Sequence, residues 1–258
     1  MRNLIESWQK YVQEDVDPDA IDLSSFEIQD DLNQKVWVDN NEKMNPEIIK
    51  NLLEIVEDFW QWLEIPWVDI LDIVLTGSLA NYNWSRFSDI DLHIIIDYAQ
   101  VDENEDLVRE YLNAKRALWN REHQIEIHGF EVELYVQDNT EPHASTGLYS
   151  VMSDAWILRP SRSAEDFDES QVRLKASGLM DEIDRIEDLF DEEKYDLAIS
   201  SVERLKDKIR RMRKTGLETG GAFSVENLAF KVLRREDYLA KLNDIKRNAY
   251  DRKMSIHQ

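Results

Sequence analysis

Cysteine is absent from the sequence, which excludes disulfides and thiolate-bound zinc. Turn residues are scarce too. Seven Gly and five Pro in 258 residues do not suit an all-β chain built from many tight turns. No apolar run approaches the length of a membrane span, and the opening "MRNLIESWQKYVQEDV" has no apolar core of signal-peptide type. The expectation is a cytoplasmic protein with no membrane partner. Positive charge is short: 31 Lys and Arg face 54 Asp and Glu, a formal charge of −23. Such an excess favours solubility and gives no long-range attraction for nucleic acid. A polyanionic partner would have to meet a local basic patch or metal ions.

What the chain does have is core-forming material. Hydrophobic residues make up 42%, with eight Trp, nine Tyr and eight Phe, enough for one large domain or two modest ones. Apolar pairs recur at helical spacing from Ile48/Ile49 through Leu52/Leu53, Ile55/Val56, Phe59/Trp60 and Trp62/Leu63. Asn45-Pro46 supplies the start, so a helix is predicted over 46–64. Phe59, Trp60 and Trp62 read as its core face rather than as a stacking platform. "VDILDIVLTG" predicts a strand over 69–76, Gly77-Ser78 a turn or short helix, and "DIDLHIII" a second strand. Residues 103–120 predict a helix, and "QIEIHGFEVELYV" alternates on both sides of His128-Gly129, the pattern of a hairpin. "TGLYSV" and "AWILRP" suggest two further short strands. After Pro160 the periodicity turns helical: about 170–190, about 192–214, and one or two helices between 224 and 253, with "TGLETGGAF" as the strong break. The expected organisation is a helix and acidic loop over 1–45, an α/β part over 46–160 and a helical part over 161–258. Within the first of these, residues 1–12 read as a short amphipathic helix, and Trp37 and Val38 are placed to anchor the loop to the core.

The segment "LTGSLANYNWSRFSDIDLHIII" carries the chemistry. Alternation places Asp89, Asp91 and His93 on one face of the second strand and Ile90, Leu92 and Ile94 on the other. Like charges side by side repel unless a cation lies between them. Two carboxylates there make a hard oxygen site suited to Mg²⁺ or Mn²⁺, and a pair of such ions clamps in-line attack on a phosphoryl centre. Gly77 lets the backbone come close to a phosphate chain, with backbone N–H groups and the Ser78 hydroxyl as donors. Arg86 lies in the loop just before the aspartates, placed either to meet a phosphate or to face solvent. Glu131 and Glu133 share one face of the hairpin's second strand, and either is a candidate third carboxylate, to hold a metal and help deprotonate the attacking hydroxyl. His93 and His128 read as polar residues at a sheet rim. Tyr82 and Trp84 read equally as nucleotide-pocket walls or as core.

"TGSLANYNWSRFSDIDLHI" resembles the signature of the DNA polymerase β-like nucleotidyltransferase superfamily: a Gly-Ser turn, about ten residues, then Asp-x-Asp on a strand. Here residues 79–88 separate Ser78 from Asp89, and "SDIDL" stands at Ser88–Leu92. The resemblance implies an α/β (α+β) nucleotidyltransferase-type mixed sheet backed by helices, followed here by a helical domain. It implies transfer of a nucleoside monophosphate from an NTP with release of pyrophosphate. It also implies metal ligation and catalysis by Asp89, Asp91 and a third carboxylate, and nucleotide binding by Gly77 and Ser78, with Ser88 and Arg86 beside them. The sequence departs from the pattern twice. Many small members have Arg-Gly where this chain has Asn81-Tyr82, and the third carboxylate is usually Asp in "V-D-L" where "V-E-L" here places Glu133, with Glu131 as a spare. "GGAFSVENLAFKVLRREDYLAKL" is similar to the tail of uncharacterised nucleotidyltransferase-like proteins of large phages, which would make the compartment a host cytoplasm. The other expectation for the same fold is a nucleotide-binding or regulatory module that transfers nothing.

The acceptor is open: RNA, protein or a small molecule. Fifteen of the 31 basic residues, from Arg204 to Lys253, fall in the last predicted helices. They either pair with acids such as Glu203 and Asp207 or form a basic wall for an RNA backbone or a triphosphate.

Overall fold

The computed structural model of the chain describes residues 16–143, 145–162 and 167–256. The expected helix over 1–12 lies outside these residues. The chain divides into two compact units, Ser25–Ala164 and a second formed by Met1–Ser24 with Glu165–Gln258. Of the segment expected as 1–45, residues 16–24 fall in one unit and 25–45 in the other.

In the Ser25–Ala164 unit, residues 25–45 belong with the α/β core because their apolar side chains are part of it. Trp37 is fully buried. Its indole N–H donates to the Leu79 carbonyl at 2.7 Å, and its ring stacks on Trp156 at 4.3 Å. It lies in a hairpin of β1 (Trp37–Val38) and β2 (Lys43–Met44). Helix α1 (Pro46–Leu63) follows, with the Asn45 side chain accepting from the Glu47 N–H and Pro46 at its first position. Its stripe Ile48, Leu52, Val56, Phe59 and Leu63 is buried. The main sheet then forms from β3 (Asp72–Thr76), β4 (Ile90–Ile96), β5 (Glu126–Ile127), β6 (Phe130–Asp138), β7 (Leu148–Ser150) and β8 (Ala155–Leu158), with helix α2 (Glu105–Glu122) between β4 and β5.

The strand order is β5-β6-β4-β3-β7-β8. β4 and β6 are parallel, and the other neighbours run antiparallel. The parallel pair needs a crossover, and α2 supplies it. One sheet face (Leu75, Leu92, Ile94, Val132, Leu134, Tyr149) joins the core with α1 and with Val108, Leu112 and Trp119 of α2. The other face bears Val74, Ile95 and Leu148 as a small apolar cluster and, toward the start of β4, the polar residues described below. The β5–β6 turn has left-handed φ at both His128 (54°) and Gly129 (88°), as a two-residue hairpin turn of the primed type requires. Beyond β5 the edge of β6 meets α2: Asn120 donates to the Leu134 carbonyl at 3.1 Å and accepts from the Leu134 N–H at 3.2 Å. An amide there takes the place of a neighbouring strand.

The other unit is helical: α3 (Glu169–Asp191), α4 (Tyr195–Gly220), α5 (Val225–Arg235) and α6 (Tyr238–Met254). Its core is apolar and made of Ile183, Val202, Leu205, Val232, Leu233 and Leu242 among others. Residues 16–24 belong here because they are tied to these helices. The Val16 N–H donates to Asp181 at 2.8 Å, Arg173 donates to the Ile21 carbonyl, and Arg235 donates to that of Asp22. Among the described residues no helix is long and apolar enough to cross a membrane.

Candidate active site

Gly77 follows β3 and opens a 3₁₀ turn, Ser78–Ala80, with φ 75° and ψ −158°. A Cβ at this position would stand 1.9 Å from Asp91 Oδ2. The Asp91 carboxylate therefore lies directly against the turn's backbone, and only glycine admits that approach. Asn81 closes the turn by donating to the Gly77 carbonyl at 2.7 Å, and Thr146 donates to the Asn81 amide oxygen at 2.8 Å. The loop before β7 is thus laced to the turn, a role for Asn81 that sequence reasoning missed. Its signal was the departure from Arg-Gly at this point of the motif.

The two motif serines meet. Ser78 Oγ lies 2.7 Å from Ser88 Oγ, and the Ser85 N–H donates to Ser88 Oγ at 2.9 Å. Ser88 is buried. The bond ties the turn to the loop that delivers Asp89, which stands immediately before β4, since the strand begins at Ile90. Arg86 is exposed in that loop, with its guanidinium 4.6 Å from the Phe87 ring centroid. Tyr82 and Trp84 pack against the core, and the Trp84 indole donates to the Asp31 carbonyl at 2.8 Å. For these two, core packing is the reading the geometry favours.

Register gathers the carboxylates. Thr76 pairs with Asp91 across β3–β4, and Asp91 with Glu133 across β4–β6, so turn, Asp91 and Glu133 form one row over three strands. Glu133 is half-buried and Glu131 exposed. Glu131 sits opposite Glu126 in the hairpin, away from that row. Among the described residues no three His, Cys, Asp or Glu side chains are gathered in a way that would hold a metal ion.

Tyr135, two residues beyond Glu133 on the same face, was also missed. Its hydroxyl lies 2.5 Å from Glu133 Oε2. Burial, then the Glu133 hydrogen bond and the charges of Glu133 and Asp91, push the phenol well above the ordinary tyrosine range, so it stays protonated and donates. Beside it, His93 stacks on the Tyr135 ring at 4.9 Å and meets Gln137 Oε1 through Nδ1 at 2.7 Å. Burial, against that hydrogen bond and with help from the nearby His143 and Arg116 charges, holds His93 below the usual histidine range. His128 is exposed at the hairpin turn.

Residues 49–149 match the family model described as a nucleotidyltransferase domain. That family model belongs to the polymerase β-like nucleotidyltransferase superfamily, to which this segment is similar. The match runs from α1 to β7 and contains the Gly-Ser turn, both aspartates and Glu133. The mixed sheet with its helices, and the helical part after it, agree with the fold class expected from the sequence. Nucleotidyl transfer is the reaction of this family, and an NTP its substrate. No curated protein and no solved structure matches the chain.

Proposed function

We propose that the chain transfers a nucleoside monophosphate from an NTP to an acceptor hydroxyl, releasing pyrophosphate. The observation that carries this reading is the row formed by the Gly77 turn, Asp91 and Glu133, with the Asp91 carboxylate against the Gly77 backbone. Gly77 and Ser78 hold the triphosphate through backbone N–H groups and the Ser78 hydroxyl. Ser88 fixes Ser78, and Arg86 reaches the phosphates from the preceding loop. Asp89, Asp91 and Glu133 are hard oxygen donors, and Asp91 and Glu133 share a register level. In kind they suit Mg²⁺ or Mn²⁺, which when bound would supply charge stabilisation to the attacking and leaving oxygens. Glu133 takes the proton of the acceptor hydroxyl as its oxygen bonds to the α-phosphorus and the bond to the β-phosphate oxygen breaks. The formal charge of −23 supports a cytoplasmic site of action.

The test is incubation with each NTP, labelled in the α-phosphate, and cell extract, with pyrophosphate measured in parallel. Label transfer and pyrophosphate release, both lost in Asp91→Asn with melting preserved, support transfer. The migration of the label with RNA, protein or a small molecule identifies the acceptor. A second reading, a nucleotide-binding module that transfers nothing, has one observation behind it: among the described residues three carboxylates are not gathered into a metal-holding group. Binding of NTP with no pyrophosphate across all extracts favours that module.

A further inference from the structure

We propose that Tyr135 is the positioning residue of Glu133: its hydroxyl fixes one carboxylate oxygen so that the other stays presented beside Asp91. This rests on the reading of Glu133 as the third carboxylate. The strand has Glu where the superfamily pattern usually has Asp, so the carboxylate sits on a chain with one more rotatable bond. A longer chain has more rotamers to lose when it is held in one place. Tyr135 compensates for that freedom. It lies two residues on, hence on the same face of β6, and its Oη is 2.5 Å from Glu133 Oε2. Glu133 Oε1 makes no hydrogen bond among the described residues.

A hydroxyl can position a carboxylate only if its own ring is fixed, and this ring is. His93 stacks on it at 4.9 Å with 21° between planes. The Arg116 guanidinium lies 4.5 Å from its centroid. Arg116 is itself held, its Nε donating to Asn113 at 3.1 Å. One helical turn on, Asn120 grips the Leu134 backbone from the same helix. The Tyr135 ring therefore stands between fixed points of β4 and α2. Glu131 has no such partner among the described residues, which makes the tyrosine a selector as well: it singles out Glu133 of the two glutamates. Carboxylates that bind metals are commonly oriented by an outer hydrogen bond of this kind, and its loss typically weakens metal affinity about 10–100-fold.

The test is a double-mutant cycle over Tyr135→Phe and Glu133→Asp in the full chain. Mn²⁺ binding is read by electron paramagnetic resonance in the presence of a non-hydrolysable NTP analogue, with melting of the metal-free proteins recorded alongside. Tyr135→Phe should weaken Mn²⁺ binding about 10–100-fold while metal-free melting is retained. In the Glu133→Asp background the same change should have little effect, because the shorter side chain no longer reaches the hydroxyl. Unchanged or tighter Mn²⁺ binding by Tyr135→Phe overturns the inference. Equal losses in both backgrounds also overturn it, since they would mean a general loosening of the site. If the wild type binds no Mn²⁺ with the analogue, the metal-site reading itself fails, a result separable from the other two.

Discussion

At Gly77 the backbone has φ 75° and ψ −158°, a region that is essentially open to glycine alone and costs other residues about 1–3 kcal/mol. The same position faces Asp91, whose Oδ2 would stand 1.9 Å from an added Cβ. Backbone strain and side-chain collision thus act on one residue. Gly77→Ala should lose about 1–3 kcal/mol in urea denaturation and, because Asp91 must move, should lose nucleotidyl transfer by more than the change in stability explains. Retained transfer with stability unchanged would mean that the turn tolerates a side chain and that Asp91 is not held against it. The Gly-Ser turn and Asp-x-Asp could be read in the sequence, because they are local patterns with fixed spacing; that Gly77 makes room for Asp91 could not, since the sequence pointed only to a close approach of the backbone to phosphate. The choice between Glu131 and Glu133 could not. Alternation puts both on one face, and only the register of β6 against β4, set some forty residues apart in the chain, decides which one stands beside Asp91. Tyr135 was hidden for the same reason, although its place in the alternation put it on the face of Glu133.

Elements with a long apolar period were legible, and short ones were not. Helix α1 begins and ends within a residue of its predicted bounds, because its stripe and its Asn-Pro start agree. The β1–β2 hairpin was read as loop. Its strands have two residues each, too few to show alternation, and its reversal uses left-handed φ at Asp39, Asn40 and Asn41, in the absence of a Gly-containing turn signal. Helix α4 runs to Gly220, through "TGLETG" that reads as a break. Gly216 explains this. A Cβ there would stand 2.5 Å from Glu226 Cβ and 2.8 Å from Ser224 Oγ. The glycine is a crossing point for the start of α5, not a terminator, and that is visible only once the partner is in place. Gly178, inside α3, has nothing within 4 Å of the same ideal Cβ and is exposed. Two glycine-to-alanine changes in helices should therefore differ in sign. Gly178→Ala should stabilise by about 0.5–1 kcal/mol through helix propensity alone. Gly216→Ala should destabilise by about 1–3 kcal/mol, as overpacking does. Urea midpoints at unchanged slope decide between them, and a gain at both positions would show that α4 and α5 can separate without cost.

On the scale of the whole molecule, the question is whether the basic residues of the C-terminal helices make an acidic protein bind RNA. Their partners answer in the direction of pairing. Lys208 meets Glu182 at 2.5 Å, Lys246 meets Glu203 at 2.8 Å, and Lys241 meets Asp184 at 2.7 Å and Glu187 at 2.5 Å. Arg210 meets Asp207 at 2.9 Å and Arg247 meets Asp244 at 2.7 Å. The Arg213 guanidinium lies 4.1 Å from the Phe230 ring centroid. The exposed pairs among these add little stability each, but together the pairs neutralise the cations locally and leave the field of a chain with formal charge −23 acidic. A protein that neutralised six or more phosphates would lose about 10³-fold or more in affinity between 50 and 200 mM salt. The expected result is different: fluorescence anisotropy with a labelled single-stranded RNA should show weak binding at low salt and a slope against salt close to zero. Reversing Arg210, Arg211 and Arg213 together to Glu should leave that slope where it was. A steep slope in the wild type that becomes shallower in the triple variant would show that these helices do hold an RNA backbone, and RNA would then become the leading acceptor. A flat slope in both leaves a small molecule or a protein hydroxyl as the acceptor that the charge distribution favours, because neither requires an extended basic surface.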